Sequence, residues 1–301
     1  MKYGQLAGLT KPVSQIILGA VYFSEDDQAA ADAVLDRYFE LGGNCVDVAH
    51  AYGRNAAVPF GHWISSRNVR DKVVILDKGC HPYRGEKRYS PAAMVSDMQE
   101  QRDLLQVDSV DIWMFHRDDP ESDPTEVLTS IDRQIKAGYV SVAGASNWST
   151  ARLALANEIA EKNNLSPLVA SSPNLCLAIA NEPMWGGCIT LTDVDIAWHE
   201  KTQIPVFAWS SVGRGFFAGF EDDDVRRVYF SEDNFKRRER AEILAKKKGA
   251  KPVQIALAWV LHQDFPVFPL IGCRTAGEVE DAIETLQIQL DEADREYLVN
   301  G

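Results

Sequence analysis

The stretch Asn44-Cys45-Val46-Asp47-Val48-Ala49-His50-Ala51-Tyr52-Gly53 decides how this chain is read. It begins as an apolar run, holds an acid inside that run at Asp47, and ends on a tyrosine before a glycine. A short apolar run closed by a turn residue reads as a buried strand. A carboxylate in such a strand needs a cation, because an unpaired buried charge is too costly to keep. The cation must come from elsewhere in the chain.

Working outward, the same pattern repeats eight times. Short apolar runs begin near Gln15, Asn44, Val73, Val110, Val140, Leu168, Pro205 and Val267. Between them lie segments with apolar groups at helical spacing, such as Ala29, Val34, Leu35 and Tyr38 over 26–42, or the capped and proline-led start Ser90-Pro91. Continuous apolar strands alternating with amphipathic helices mean a parallel sheet covered by helices. Eight such units point to α/β architecture closed as a (β/α)8 TIM barrel. A short N-terminal hairpin (Lys2 to Leu6, then Val13) precedes it, and extra helices near 234–249 and 252–263 and at the tail follow the seventh strand. Residues 1–301 read as a single domain, with no linker or repeat to divide them. The acidic run Glu221-Asp222-Asp223-Asp224 reads as a solvated loop.

Composition narrows the function. Charged residues are 25% of 301 and apolar ones 46%, the balance of a globular protein with a sizeable core. A net charge of −13 repels phosphate backbones and anionic lipid, arguing against nucleic-acid and membrane-surface partners. No apolar run reaches 18 residues, no secretory leader is visible, and the five cysteines are scattered without a CxxC pair. Reduced thiols and a cytoplasmic location are the expectation. No tight ligand spacing suggests a metal.

In barrels of this class the active site gathers where strands end. The second strand supplies Asp47 and then Tyr52, the third Lys78, and the fourth His116. Taken alone, each has a bland role as cap, solvated strand end or structural histidine. Together they converge on one mouth. Lys78 is then the cation that Asp47 needs. An ammonium beside Tyr52 is expected to favour tyrosinate, drawing the phenol below its usual value near ~10. A tyrosine so tuned can pass a proton to a carbonyl oxygen or take one back, and a neutral His116 can donate a hydrogen bond to that oxygen. Proton transfer to a carbonyl with no nucleophile and no metal fits hydride transfer from a cofactor.

On these residues the chain resembles an aldo-keto reductase, of a bacterial type with a short C-terminal end. Asp47, Tyr52, Lys78 and His116 match that family's catalytic tetrad in order, spacing and strand. The resemblance spans essentially the whole chain and implies NADPH or NADH lying extended across the mouth. It implies carboxamide contacts from Ser146 and Asn147, with Ser172 standing where relatives carry glutamine, and Trp209 stacking on the nicotinamide. Ser210, Ser211, Val212, Arg214 and Gly215 would cover the pyrophosphate. The segment Gly213 to Gly219 is one residue too long for GxGxxG, so it is not a Rossmann turn. Gly272, Arg274, Thr275 and Glu278 correspond to the adenosine-phosphate segment. A carboxylate at Glu278 repels a 2′-phosphate but accepts from a free ribose diol, which leans towards NADH or dual use.

The loops hint at the substrate. Tyr22, Arg117, Asp118 and Trp185, with Tyr52 and His116, would surround a small carbonyl compound. Aromatic faces beside charged groups suit a sugar or keto-sugar better than a greasy aldehyde. Arg117 and Asp118 pairing with each other is the bland alternative. Two rival readings stay open: a nicotinamide-binding regulatory subunit with little turnover, and a lyase or isomerase using Tyr52 and Lys78 without net redox. Oligomeric state is not legible.

Overall fold

The computed structural model describes every residue except Arg84. In chain order, a two-stranded antiparallel hairpin, β1 (Tyr3–Gly4) and β2 (Val13–Ser14), leads into β3 (Ile17–Gly19) and α1 (Gln28–Glu40). Then come β4 (Cys45–Asp47), α2 (Arg54–Arg67), β5 (Val74–Gly79), α3 (Pro91–Leu105), β6 (Val110–Phe115), α4 (Thr125–Lys136), β7 (Val140–Ser146), α5 (Thr150–Lys162) and β8 (Leu168–Ser172). A long loop precedes α6 (Asp193–Thr202) and β9 (Val206–Ala208). Three helices follow, α7 (Asp223–Tyr229), α8 (Glu232–Lys248) and α9 (Pro252–Leu261), then β10 (Val267–Gly272), α10 (Ala276–Glu284) and α11 (Glu292–Asn300). Strands β3 to β10 close into one parallel barrel, with β10 pairing β3 at Leu270↔Ile17 and Gly272↔Gly19. No helix among the described residues is long and apolar enough to cross a membrane.

Strand alternation sorts the side chains into two layers. Ile17, Cys45, Leu76, Ile112, Met114, Phe207 and Phe268 fill the barrel interior, whereas Val46, Ile75, Trp113 and Phe115 face the helices. By that alternation Asp47, two residues after Cys45, and Lys78, two after Leu76, turn inward, as does His116 beyond Met114. The hairpin closes the opposite end: Leu6, Leu9 and Val13 join the interior cluster, and a Cβ at Gly4 would lie 2.6 Å from the Phe268 ring. The polar strand ends therefore open only at the other mouth.

Some boundaries differ from those read in sequence. The strand begun at Asn44 stops at Asp47, and a 3-10 turn over His50–Tyr52 carries the tyrosine instead. The acidic run opens α7 rather than forming a loop: Asp222 caps the helix by accepting from Val225 N at 2.7 Å, with Asp223 and Asp224 in the first turn, where the helix dipole favours them. Past Glu284, α10 tightens into a 3-10 turn at Thr285–Gln287.

Candidate active site

A cavity of about 1180 Å³ occupies the open mouth of the barrel. Asp47, Tyr52, Lys78 and His116 all line it, the first two from β4 and its 3-10 turn, the others from the ends of β5 and β6. Asp47 and Lys78 are buried and ion-paired. The ammonium nitrogen stands 5.5 Å from the centre of the Tyr52 ring, and His116 meets that ring edge to face with centroids 5.9 Å apart.

Burial and pairing compete at each group. Burial raises the Asp47 carboxyl, and Lys78 recovers only part of that. Burial pulls the Lys78 ammonium down, but Asp47 and Tyr52 outweigh it, so Lys78 stays firmly charged. For Tyr52 burial is the largest influence and lifts the phenol to about 12, although Lys78 draws it down. The expectation of a lowered tyrosine is thus overturned: desolvation of the anion outweighs the nearby ammonium. His116 is held well below the usual histidine range by burial first, then by Lys78, Arg117 and His81, so it is neutral. Its buried Nδ1 has no partner among the described residues, and the His81 and His116 ring centroids are 4.9 Å apart.

Around this floor the other named residues separate into two groups. Tyr22, Arg117, Ser146, Asn147, Trp185, Trp209, Ser210, Val212, Arg214, Gly215, Gly272, Arg274 and Glu278 line the cavity. Ser172, Ser211, Thr275 and Asp118 do not. Ser172 is buried, its Oγ without a partner among the described residues, and its carbonyl accepts from Ser146 Oγ at 2.8 Å. Ser211 Oγ donates to Leu270 O at 3.1 Å, and Thr275 caps α10. Asp118 is ion-paired with Arg152 at 3.2 Å, both nearly buried, while Arg117 donates to Gly186 O and His116 O. Asp118 therefore neither lines the cavity, as the sequence led us to expect, nor pairs with Arg117.

Asn147 adopts a left-handed conformation at φ 60° and ties the walls together. Its Oδ1 accepts from Trp209 Nε1 at 3.2 Å and from Ile189 N at 3.1 Å. Arg214, also left-handed at φ 52°, pairs with Asp222 at 2.9 Å and keeps a buried Nε that has no partner among the described residues. Arg274 lies over the Tyr22 ring at 3.9 Å, and Tyr22 in turn packs where a side chain at Gly272 would sit, 2.6 Å from a built Cβ. Glu278 Oε2 accepts from the Arg274 backbone N–H at 2.6 Å. Sequence reasoning passed over Lys251, Gln254 and Leu257, which line the cavity from α9 and the residue before it. Lys251 pairs with Asp281 at 2.5 Å. Nothing local marks them, since an amphipathic helix start looks the same wherever it docks.

A closed parallel barrel whose open end gathers an aspartate–lysine pair, a tyrosine and a neutral histidine is built for acid–base chemistry on a small molecule. The chain belongs to the aldo/keto reductase family, whose family model matches residues 15–300. It is 26% identical to a norsolorinic acid reductase of Emericella nidulans over 95% of this chain and 77% of that protein. It is 26% identical to an uncharacterized oxidoreductase, YrpG, of Bacillus subtilis, covering 97% of this chain and 93% of the other. A 6-dehydroglucose reductase of Novosphingobium aromaticivorans is 23% identical over 94% of this chain and 89% of its own length.

Proposed function

We propose that this chain is an NAD(P)H-dependent carbonyl reductase, interconverting an aldehyde or ketone and its alcohol, with Tyr52 as the general acid and base. The observation that carries the reading is the Asp47–Lys78 ion pair beside Tyr52 and His116 on one cavity floor. The cavity fits a nicotinamide dinucleotide in three respects. It has the Trp209 indole on its wall, the cations Arg214, Lys251 and Arg274 along its length, and an Arg214 Nε without a partner among the described residues. When bound, such a cofactor supplies or accepts the hydride.

The chain's own residues manage the proton. Tyr52 gives its proton to the carbonyl oxygen, and Lys78 stabilises the phenolate left behind. Asp47 keeps Lys78 in place and charged. His116, neutral, keeps one N–H with which to orient the carbonyl oxygen. Ser146, Asn147, Ser210, Val212, Gly215, Gly272 and Arg274 are assigned to cofactor binding. Ser172, Ser211 and Thr275 support them from behind the wall. Glu278 favours NADH or dual use, because a carboxylate at that rim repels a 2′-phosphate.

The substrate read here is a polar ring compound such as a keto-sugar, held by Tyr22, Trp185, Arg117 and His116. A second reading, an aryl carbonyl, is favoured by the tilted Trp185–Trp209 pair, 6.0 Å apart, and by the engagement of Asp118 with Arg152. The test follows nicotinamide absorbance with keto-sugars, inositols and aryl aldehydes, for wild type and Tyr52→Phe. Turnover by wild type that Tyr52→Phe loses is the expected result. Cofactor binding without turnover of any substrate would favour a regulatory subunit, and equal activity in both proteins would refute the acid assignment.

A further inference from the structure

Charge bookkeeping inside the cavity leaves one buried cation unexplained. Four acids line it, and each is engaged within the chain. Asp47 pairs with Lys78, Asp222 with Arg214 at 2.9 Å, and Asp281 with Lys251 at 2.5 Å, while Glu278 accepts the Arg274 amide. Among the described residues, Arg117 and Arg274 line the cavity without a carboxylate in ion-pair contact. Arg274 is exposed on the rim, over Tyr22. Arg117 is different: it is only 6% exposed and follows His116 directly, at the reacting end.

A buried guanidinium without an acid is costly. Two donors of Arg117 are pinned to backbone carbonyls, Nη1 to His116 O at 2.9 Å and Nε to Gly186 O at 3.2 Å. Nη2 donates to no protein acceptor among the described residues, yet it is not sealed from solvent. The loop is shaped to hold the side chain there: Gly187 sits at φ 72°, and a Cβ on it would come 3.3 Å from Arg117 Cδ. Burial holds His81 and His116 neutral beside it, and Lys78 is matched by Asp47. Arg117 is thus the uncompensated positive charge at this end of the cavity, in a chain whose net charge is −13. The global field repels anions, so attraction for one has to be local.

We propose that Arg117 is the specificity-determining residue of the site, and that the carbonyl substrate carries a carboxylate which Nη2 binds. The inference rests on the carbonyl-reductase reading above and names its substrate class. A charge-assisted hydrogen bond in a mostly dry site favours the acid over a neutral isostere by roughly 10–100-fold.

The experiment compares kcat/KM for 4-carboxybenzaldehyde against 4-formylbenzamide, and for 4-oxobutanoate against 4-oxobutanamide. Wild type should prefer the acid in each pair, mainly through KM. Arg117→Met should bring the ratios close to one, and Arg117→Lys should retain part of the preference. Equal ratios in wild type, or a preference for the amides, would overturn the proposal while leaving the carbonyl-reductase reading intact. Terephthalate, which cannot react, gives an arm independent of turnover. It should quench tryptophan fluorescence of wild type more strongly than terephthalamide does, and less so as salt rises. If no aldehyde is turned over, the reductase reading fails, and the binding arm decides on Arg117 by whether Arg117→Met loses the terephthalate preference. If the Met variant does not fold, Arg117→Lys decides: a preference as strong as that of wild type, at the same salt, would overturn the proposal.

Discussion

The rings of Tyr52 and His116 meet edge to face, their centroids 5.9 Å apart and their planes at 88°. A carbonyl oxygen facing both rings could accept a hydrogen bond from each. Replacing Tyr52 by Phe keeps the ring and removes only the proton. Its kcat should fall by about 10²- to 10⁴-fold. Nicotinamide binding, followed by tryptophan fluorescence, should hardly move. A comparable loss of cofactor affinity would mean that the residue shapes the pocket instead.

The pH dependence follows from the burial of the same two groups. Tyr52, lifted to about 12, keeps its proton throughout the neutral range. Carbonyl reduction should therefore stay flat from neutral to moderately alkaline pH, whereas alcohol oxidation, which needs the phenolate, should climb towards pH 12. His116 is lowered well below its usual value by burial, so it should stay neutral across the same range. Initial rates in both directions between pH 6 and 10 test this. A reduction rate that falls steeply through pH 8 would show a phenol that ionises early.

Asp77 alternates with Lys78 on β5 and so faces α3, where Oδ1 accepts from Gln101 Nε2 at 3.0 Å and Oδ2 has no partner among the described residues. Burial raises its carboxyl to about 7 from the ordinary 3.8. Because the folded value is the higher one, the fold binds the proton more tightly than the unfolded chain. Stability should fall as pH rises from about 4 through 7. Asp77→Asn removes the penalty, so thermal melts should show a higher Tm for the variant at pH 8 and no advantage at pH 4. An unchanged Tm at pH 8 would mean that the carboxylate is well solvated.

Arg152 holds Asp118 at 3.2 Å and also donates to Asp119 O and Ser122 O. Arg152→Met strands a nearly buried carboxylate and should cost about 3 kcal/mol in urea unfolding. Asp118→Asn should lower stability far more than it changes KM for any polar substrate. A KM effect without a stability effect would restore Asp118 to the substrate pocket.

Glu278 is the test of cofactor choice. Glu278→Gln removes a negative charge at the rim yet leaves an acceptor for the Arg274 amide. Affinity for NADPH relative to NADH should rise by about tenfold, the equivalent of ~1.4 kcal/mol. Fluorescence titrations of both cofactors measure it, and an unchanged ratio would remove the basis for the NADH lean.

The sequence by itself determined the barrel and the polar floor of its mouth, because both rest on short-range regularities. Eight apolar runs alternating with helical spacing specify a parallel sheet under helices, and residues two apart on a strand share a face. Asp47 with Cys45, Lys78 with Leu76, and His116 with Met114 were thus legible as inward-facing. What tertiary structure alone decided depends on groups distant in the chain. Asp118 turned to Arg152, 34 residues on, and Lys251 arrived at the mouth on a helix that carries no local mark of the site. The Tyr52 phenol went up rather than down, since the balance between a nearby ammonium and desolvation is fixed by how deeply both are buried. The stretch from Asn44 to Gly53 pointed to the chemistry proposed; packing around it set the proton affinities and the partners.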